Sequence, residues 1–289
     1  MIITKLNGGL GNQLFEYAFA RNLQIKYADR MALDTEGFKR SDRHYSLENF
    51  VLSKDVEILP HENCRKLIVW QALSKINRKC ASKLASFFNV YLWKSSYYRN
   101  FQVENTRKGM HYFYGYWQSE KYFEENKEQI RQELRVKTPY LSESLRYLPE
   151  AEQPNSVAVH IRRGDYVSCG MILCDEKYYL NGMKYIKEKY ADCNFLIFTD
   201  DIQWVKENIH FEYPVTYVDI DNPDYEVLRL MYMCKHFVMS NSSFSWWAQY
   251  LSDNENKIVV APSVWYPDGH GDRSIYLDNW TILKGDLSL

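Results

Sequence analysis

Apolar positions follow two regimes along the chain. Residues 2–6 form a short apolar run that breaks into Asn7-Gly8-Gly9-Leu10-Gly11-Asn12-Gln13, and Leu14, Phe15, Ala18, Phe19, Asn22 and Leu23 then recur at helical spacing. Met31-Ala32-Leu33 reads as a second strand, so strand, glycine turn, helix and strand make a βαβ unit. From about 55 to 137 the pattern reads as mainly helical. Its best helix aligns Val69, Leu73, Ile76, Cys80, Leu84 and Phe87 on one face at spacings of three and four.

After a polar stretch, 149–156, strands and helices alternate regularly. Strands are predicted at 157–161, 195–198, 215–218, 236–239 and 257–261, and helices at 175–190, 202–208, 225–234 and 244–251. Five strands alternating with helices imply a parallel doubly wound α/β sheet, with ligands at the carboxyl ends of its strands. The expected division is into an N-terminal half, 1–148, and a C-terminal half, 149–289, that together form a cleft enzyme.

Composition narrows the function. The 289 residues carry a formal charge of −1, which excludes a dedicated, strongly basic nucleic-acid binder. Aromatic residues make up 16%, which leans toward a ligand with sugar or base rings to stack on. The near-neutral total hides an asymmetry: residues 65–108 hold ten basic side chains against Glu104 alone, +9, in a chain that is otherwise −10. Two readings of that segment stay open, a solvated basic face or peripheral attachment to an anionic membrane. No run approaches a membrane span or a signal peptide, and six cysteines without metal-binding spacing fit a reducing cytoplasm.

Three segments carry candidate chemistry. His160-Ile161-Arg162-Arg163-Gly164-Asp165 ends the first strand of the second half, and guanidinium forks at a strand end suit diphosphate oxygens. An ion pair with Asp165 would use the same arginines. Ser240-Asn241-Ser242-Ser243-Phe244-Ser245-Trp246-Trp247 also lies between strand and helix, where hydroxyls and free amide groups form an anion site and also serve as N-caps. The Gly8-Gly9-Leu10-Gly11 loop lacks the lysine of a P-loop and the last glycine of GxGxxG, so it points to close approach of a bulky ligand, with Asn12 and Gln13 as hydrogen-bonding groups. Asp219-Ile220-Asp221 matches the metal-binding DxD pattern but reads better as a solvated loop, while Asp200-Asp201 could meet a nucleobase or cap a helix. The aromatic run at 111–117 is either an acceptor platform or a buried strand or core packing.

Together, Gly8-Gly9-Leu10-Gly11-Asn12-Gln13-Leu14-Phe15, His160-Ile161-Arg162-Arg163-Gly164-Asp165-Tyr166 and Ser242-Ser243-Phe244-Ser245-Trp246-Trp247 resemble glycosyltransferase family 11 across the whole chain. The resemblance implies a GT-B-like fold of two Rossmann-like domains facing a cleft, the first with a helical insertion. It implies an inverting α-1,2-fucosyltransferase that uses GDP-fucose, needs no cofactor or metal, and accepts a galactose-terminated glycan, free or lipid-linked. It places His160, Arg162, Arg163 and Asp165 at the donor, with Asp200, Ser242, Ser243, Phe244 and Ser245 around the nucleotide and Asn12 and Gln13 near the reacting sugar. Where the family usually carries an aspartate before the serine loop this chain has Glu226, the expected substitute at the guanine. Asp165 is the first candidate for the base that takes the acceptor proton, and Glu16 the second. A sulfotransferase-like enzyme would need a phosphate-binding loop after its first strand, and a non-catalytic glycan-binding protein would have no use for paired arginines.

Overall fold

A four-residue strand, then glycines, then an 18-residue helix sets the pattern of the first unit. The computed structural model describes residues 1–95, 109–172, 174–219, 223–267 and 273–284. It divides into two compact units, Met1–Lys137 and Thr138–Leu289. The first contains β1 (Ile2–Lys5), α1 (Leu10–Tyr27), β2 (Met31–Asp34), β3 (Val56–Ile58), α2 (His61–Ile76), α3 (Arg78–Phe87), β4 (Val90–Ser95), β5 (Met110–Gly115) and α4 (Lys127–Glu133). Its strands lie in the order β3-β2-β1-β5-β4, and every pair is parallel.

From Leu10 to Gln24, α1 is buried at every position but Asn12. Phe19 stacks on Trp117 with ring centroids 3.9 Å apart and meets Phe113 and Tyr122 edge-on. Such aromatic pairs add to the burial of large apolar side chains. The described residues of 55–137 are mainly helical as expected, but three of the five strands also fall inside them. In β5, Tyr112 and Phe113 are fully buried beside β1 and β4. A parallel strand covered on both faces shows no alternation, so its sequence pattern carries no period of two. Residues 111–114 are therefore core.

The expected long helix is also two. Asn77 leaves the helical region at φ −147°, and its side chain accepts the Cys80 N–H at 3.1 Å to cap α3. The apolar face read from spacing exists, but it points to solvent; Cys64, Leu67, Ala81 and Ala85 form the buried side.

The second unit contains α5 (Ser142–Leu145), α6 (Leu148–Ala151), β6 (Ser156–Ile161), α7 (Gly164–Cys169), α8 (Glu176–Lys187), β7 (Asn194–Thr199), α9 (Ile202–Asn208), β8 (Val215–Tyr217), α10 (Asp224–Met233), β9 (His236–Val238), α11 (Ser243–Leu251), β10 (Val259–Pro262) and β11 (Thr281–Leu283). Division falls after Lys137 and not after 148, because α5 and α6 pack against α10, and α6 also against β6. The unpredicted sixth strand, β11, is three partly exposed residues at the sheet edge, too short to show a period.

All six strands are parallel, in the order β8-β7-β6-β9-β10-β11. Counted from β6 this is 3-2-1-4-5-6, and the winding reverses between β6 and β9. Tyr178, Tyr179, Met183 and Ile186 of α8 bury against Val157, Val159, Ile161 and Ile197 of the sheet. No described helix is long and apolar enough to cross a membrane.

Gly182 lets α8 approach: a Cβ there would lie 2.8 Å from Val238 Cγ1 and 3.3 Å from Val260 Cγ1. Alanine gains about 0.5–1 kcal/mol of helix propensity, whereas overpacking a stiff β-branched neighbour costs about 1–3 kcal/mol. Gly182→Ala is thus expected to lower unfolding free energy by about 1 kcal/mol in urea denaturation, and a gain in stability would show that the sheet yields.

Candidate functional site

Strand β6 delivers its carboxyl end to the switch point of the second unit, flanked by β7 and β9. Arg162 is held there by two carboxylates. Its Nη2 lies 2.5 Å from Asp165 Oδ1, and its Nη1 lies 2.6 Å from Asp200 Oδ2. Asp200 also accepts the Arg163 backbone N–H through Oδ1 at 2.8 Å. This close seating explains Gly164, where any Cβ would sit 2.4 Å from Asp200 Oδ2.

Arg163 is fixed differently. Its Nε donates to Asp201 Oδ2 at 3.1 Å, and its guanidinium carbon lies 3.3 Å from the centroid of the Trp204 ring. Asp201 Oδ1 in turn caps α9 by accepting the Trp204 N–H at 3.3 Å. Of the two expectations for the Asp200-Asp201 pair, the helix cap is met by Asp201, which also anchors Arg163, while Asp200 organises the arginine loop. The bond to Asp201 uses one of five guanidinium donors of Arg163, leaving the rest of the fork for an oxyanion.

The serine loop follows β9 on the other side of β6. His160 Nδ1 lies within hydrogen-bond distance of Ser245 Oγ (2.5 Å) and Ser240 Oγ (3.1 Å), all three side chains being buried. Burial, with the Arg162 charge adding to it, pushes the imidazole down to about 3. Ser242 caps α11 by accepting the Phe244 N–H, and Tyr166 donates to the Asn241 carbonyl at 3.2 Å, joining the arginine and serine loops. Ser243 and Phe244 are half-buried, and Phe244 faces the His160 ring at 5.6 Å. Trp246 and Trp247 belong to the core. His160, Arg162, Arg163, Asp165, Asp200, Ser242, Ser243, Phe244 and Ser245 are thus gathered on the carboxyl ends of three adjacent strands.

Glu226 is the exception. It is fully buried in α10, its Oε1 accepts the Leu141 N–H at 2.9 Å, and its Oε2 pairs with Arg229. Arg229 in turn donates to the Thr138 and Pro139 carbonyls. The expected guanine contact is corrected on that ground: both oxygens are spent pinning residues 138–141 to α10.

In the first unit, Gly8 adopts φ +71°, and a Cβ there would lie 2.7 Å from Asn12 Nδ2. Gln13 is buried; its Nε2 donates to the His44 carbonyl at 2.8 Å and its Oε1 accepts the Ser46 N–H at 3.0 Å. Glu16 is also fully buried and accepts the Asn7 N–H at 2.8 Å, with burial pushing its carboxyl well above the usual range. Gln13 and Glu16 therefore hold the glycine loop from behind, and Glu16 is withdrawn as a candidate base. Asn12 is partly exposed and accepts from Gln118 Nε2 at 2.7 Å.

Trp204 and Gln118 escaped the sequence reading. Trp204 sits three residues beyond Asp201, a spacing that signals a cap but not a ring under an arginine. Asp221 of the DxD pattern lies outside the described residues, and among those described no group of three or more His, Cys, Asp and Glu could hold a metal ion.

Holding His160 neutral makes the folded state bind fewer protons than the unfolded one between about pH 6.5 and 3, so its contribution to stability is full above that window and lost as pH falls through it. His160→Asn removes the titrating group. Urea denaturation at a series of pH values is expected to show a shallower acid decline in this variant, and an unchanged slope would mean the imidazole is not held neutral.

Comparison with known proteins points to a family and to a fold. The family description Glycosyl transferase family 11 matches residues 1–284. An α-1,2-colitosyltransferase of Escherichia coli is 32% identical over 288 residues, 92% of each chain. Galactoside α-(1,2)-fucosyltransferase 2 of Gorilla gorilla gorilla is 24% identical over 299 residues, 97% of this chain and 78% of that one. Among solved structures, the fucosyltransferase NodZ from Bradyrhizobium superposes with a TM-score of 0.53 at 14% identity, covering 86% of this chain and 91% of that one. NodZ, an α-1,6-fucosyltransferase, has also been crystallized with GDP. These likenesses agree with the expected GT-B-like α/β fold.

Proposed function

The chain belongs to glycosyltransferase family 11, and from that premise we propose that it transfers L-fucose from GDP-fucose, with inversion, to the 2-hydroxyl of a terminal galactose on an oligosaccharide or a polysaccharide repeat unit. One observation carries the reading: Arg162 and Arg163 are presented at the switch point of a 3-2-1-4-5-6 sheet, anchored from below by Asp200, Asp201 and Trp204. The names of the α-(1,2)-fucosyltransferase and of the GDP-bound fucosyltransferase structure support the donor and linkage.

Charge dictates the roles. As the C1–O bond to the β-phosphate breaks, negative charge grows on GDP and positive charge on the sugar ring. The two guanidinium groups supply the countercharge, and a preorganised donor of this kind contributes about 3–4 kcal/mol. Ser243, Phe244 and the N-terminus of α11 lie beside them for the nucleotide, while buried Ser242 and Ser245 shape the loop from within. Diphosphate oxygens compete with Asp165 for Arg162; once displaced, Asp165, its side chain 45% exposed, takes the proton as the acceptor oxygen bonds to C1. Asn12 of the first unit serves the acceptor side. No metal is required in this scheme, and the acceptor is reached from the cytoplasm, free or lipid-linked.

The 32% identical colitosyltransferase favours a second donor. Colitose is L-fucose without its 3-hydroxyl. A pocket that hydrogen-bonds that hydroxyl rejects the deoxy sugar strongly, whereas one that merely encloses it discriminates weakly. Comparing kcat/KM for the GDP-activated forms of both sugars decides between them: a preference of about a hundredfold or more for fucose is expected, and the reverse would reassign the donor.

Arg162→Ala and Arg163→Ala are each expected to cut transfer by about a hundredfold or more while the fold is retained by circular dichroism. Near-normal turnover in both purified variants would overturn the diphosphate assignment. Activity is expected to survive excess EDTA, and its loss, restored by a divalent cation, would return Asp219 and Asp221 to consideration.

A further inference from the structure

Thirteen large apolar side chains are exposed among the described residues, and six of them lie between Val69 and Phe88. Val69, Leu73 and Ile76 line the outward face of α2; Leu84 and Phe87 line that of α3, which ends at Phe88. Ile76 is 85% and Phe87 80% exposed. The two faces are continuous, because Phe88 meets Trp70 of α2 at 5.8 Å and Phe87 at 5.3 Å. Scattered exposed apolar residues need no explanation, but a contiguous group does.

Charge identifies the occupant. Residues 63–103 contain no Asp or Glu. Lys66, Lys75, Lys79 and Lys83 are all exposed on the same two helices. A second copy docked face to face would set these lysines against their equivalents, which opposes a symmetric dimer. An anionic lipid surface satisfies both features at once: lysines meet headgroups, and the leucine, isoleucine and phenylalanine side chains enter the acyl boundary.

We propose that α2 and α3 form a docking face for anionic membranes. This inference is independent of the donor and acceptor assigned above, since it uses none of their residues. It places the first unit on a lipid surface through apolar insertion assisted by lysine attraction.

Vesicle flotation of the full chain tests it, using phosphatidylcholine alone and phosphatidylcholine with about one-quarter phosphatidylglycerol, at low salt and at about 0.5 M NaCl. Binding to the anionic vesicles at low salt is expected, weakened about tenfold or more by salt or by omitting the anionic lipid. Phe87→Ser with Phe88→Ser, and separately Lys79→Glu with Lys83→Glu, should each lower binding by about tenfold while leaving circular dichroism and GDP titration unchanged. No binding to anionic vesicles at low salt overturns the proposal, as does binding that neither double variant weakens. Self-association in the absence of lipid that Phe87→Ser abolishes would assign the face to a second copy and overturn it as well.

Discussion

Everything at the switch point depends on where the Asp200 carboxylate sits. One oxygen accepts the Arg163 backbone N–H while the other pairs with Arg162, and it lies where a side chain at position 164 would have to be. Glycine at 164 is therefore a packing requirement of the arginine loop. A carboxylate that binds backbone and side chain of consecutive residues fixes both the path of the loop and the direction of its charge, and it does so from the residue that follows the neighbouring strand, β7. Parallel pairing of β6 with β7 from Ser156–Asn194 to Ile161–Thr199 keeps those two strand ends level. The sheet register thus sets the geometry of the charged site.

How much of this was legible follows from what each residue type can signal. In the second unit the strands stand out as short continuous apolar runs between turn residues, β6, β9 and β10 being buried throughout, and the helices by their spacing; most ends were placed within one or two residues. In the first unit β5 stays open in sequence between an acceptor platform and a buried strand, since an aromatic run serves either and shows no period of two; Tyr112 and Phe113 are fully buried. The same unit disguised α2 and α3 as one helix, because the spacing runs on through Asn77 while the backbone does not. In the site, Arg162 and Arg163 were found by chemistry and position. Asp165 reads as a partner for the arginines and Asp200 as a site residue, but the pairing with Asp200 and the stacking on Trp204 do not, because these lie 38 and 41 residues away in sequence and reach the arginines only through strand pairing. Glu226 misled for the opposite reason: a carboxylate near the expected place in sequence turned out to be sealed in α10 against Arg229.

Buried polar groups in both units do similar work. Gln13 and Glu16 fasten the glycine loop that follows β1, and His160 with Ser240 and Ser245 fastens the serine loop beside β6. Each group spends hydrogen bonds on backbone, on a side-chain amide or on another buried hydroxyl, which fixes the loop it serves. A neutral His160 suits this place, because a second cation beside Arg162 would raise the cost of holding the guanidinium there. Rigid loops built this way lose little conformational freedom when a ligand arrives, which favours affinity and alignment of reacting atoms.

The arginines do not wait as bare charges. Around them stand Asp165, Asp200 and Asp201, so the resting loop is near electrical balance and slightly negative. In the proposed transfer an incoming diphosphate would have to replace a carboxylate partner, and the three differ in how readily they can leave. Asp200 is tied to backbone and wedged against Gly164; Asp201 also caps α9. Asp165 holds Arg162 from the first turn of α7 and is the most exposed of the three. In that transfer, exchange at Asp165 would leave the loop anchored by Asp200 and Asp201, pass Arg162 from a carboxylate to the phosphate, and free a carboxylate for the acceptor proton.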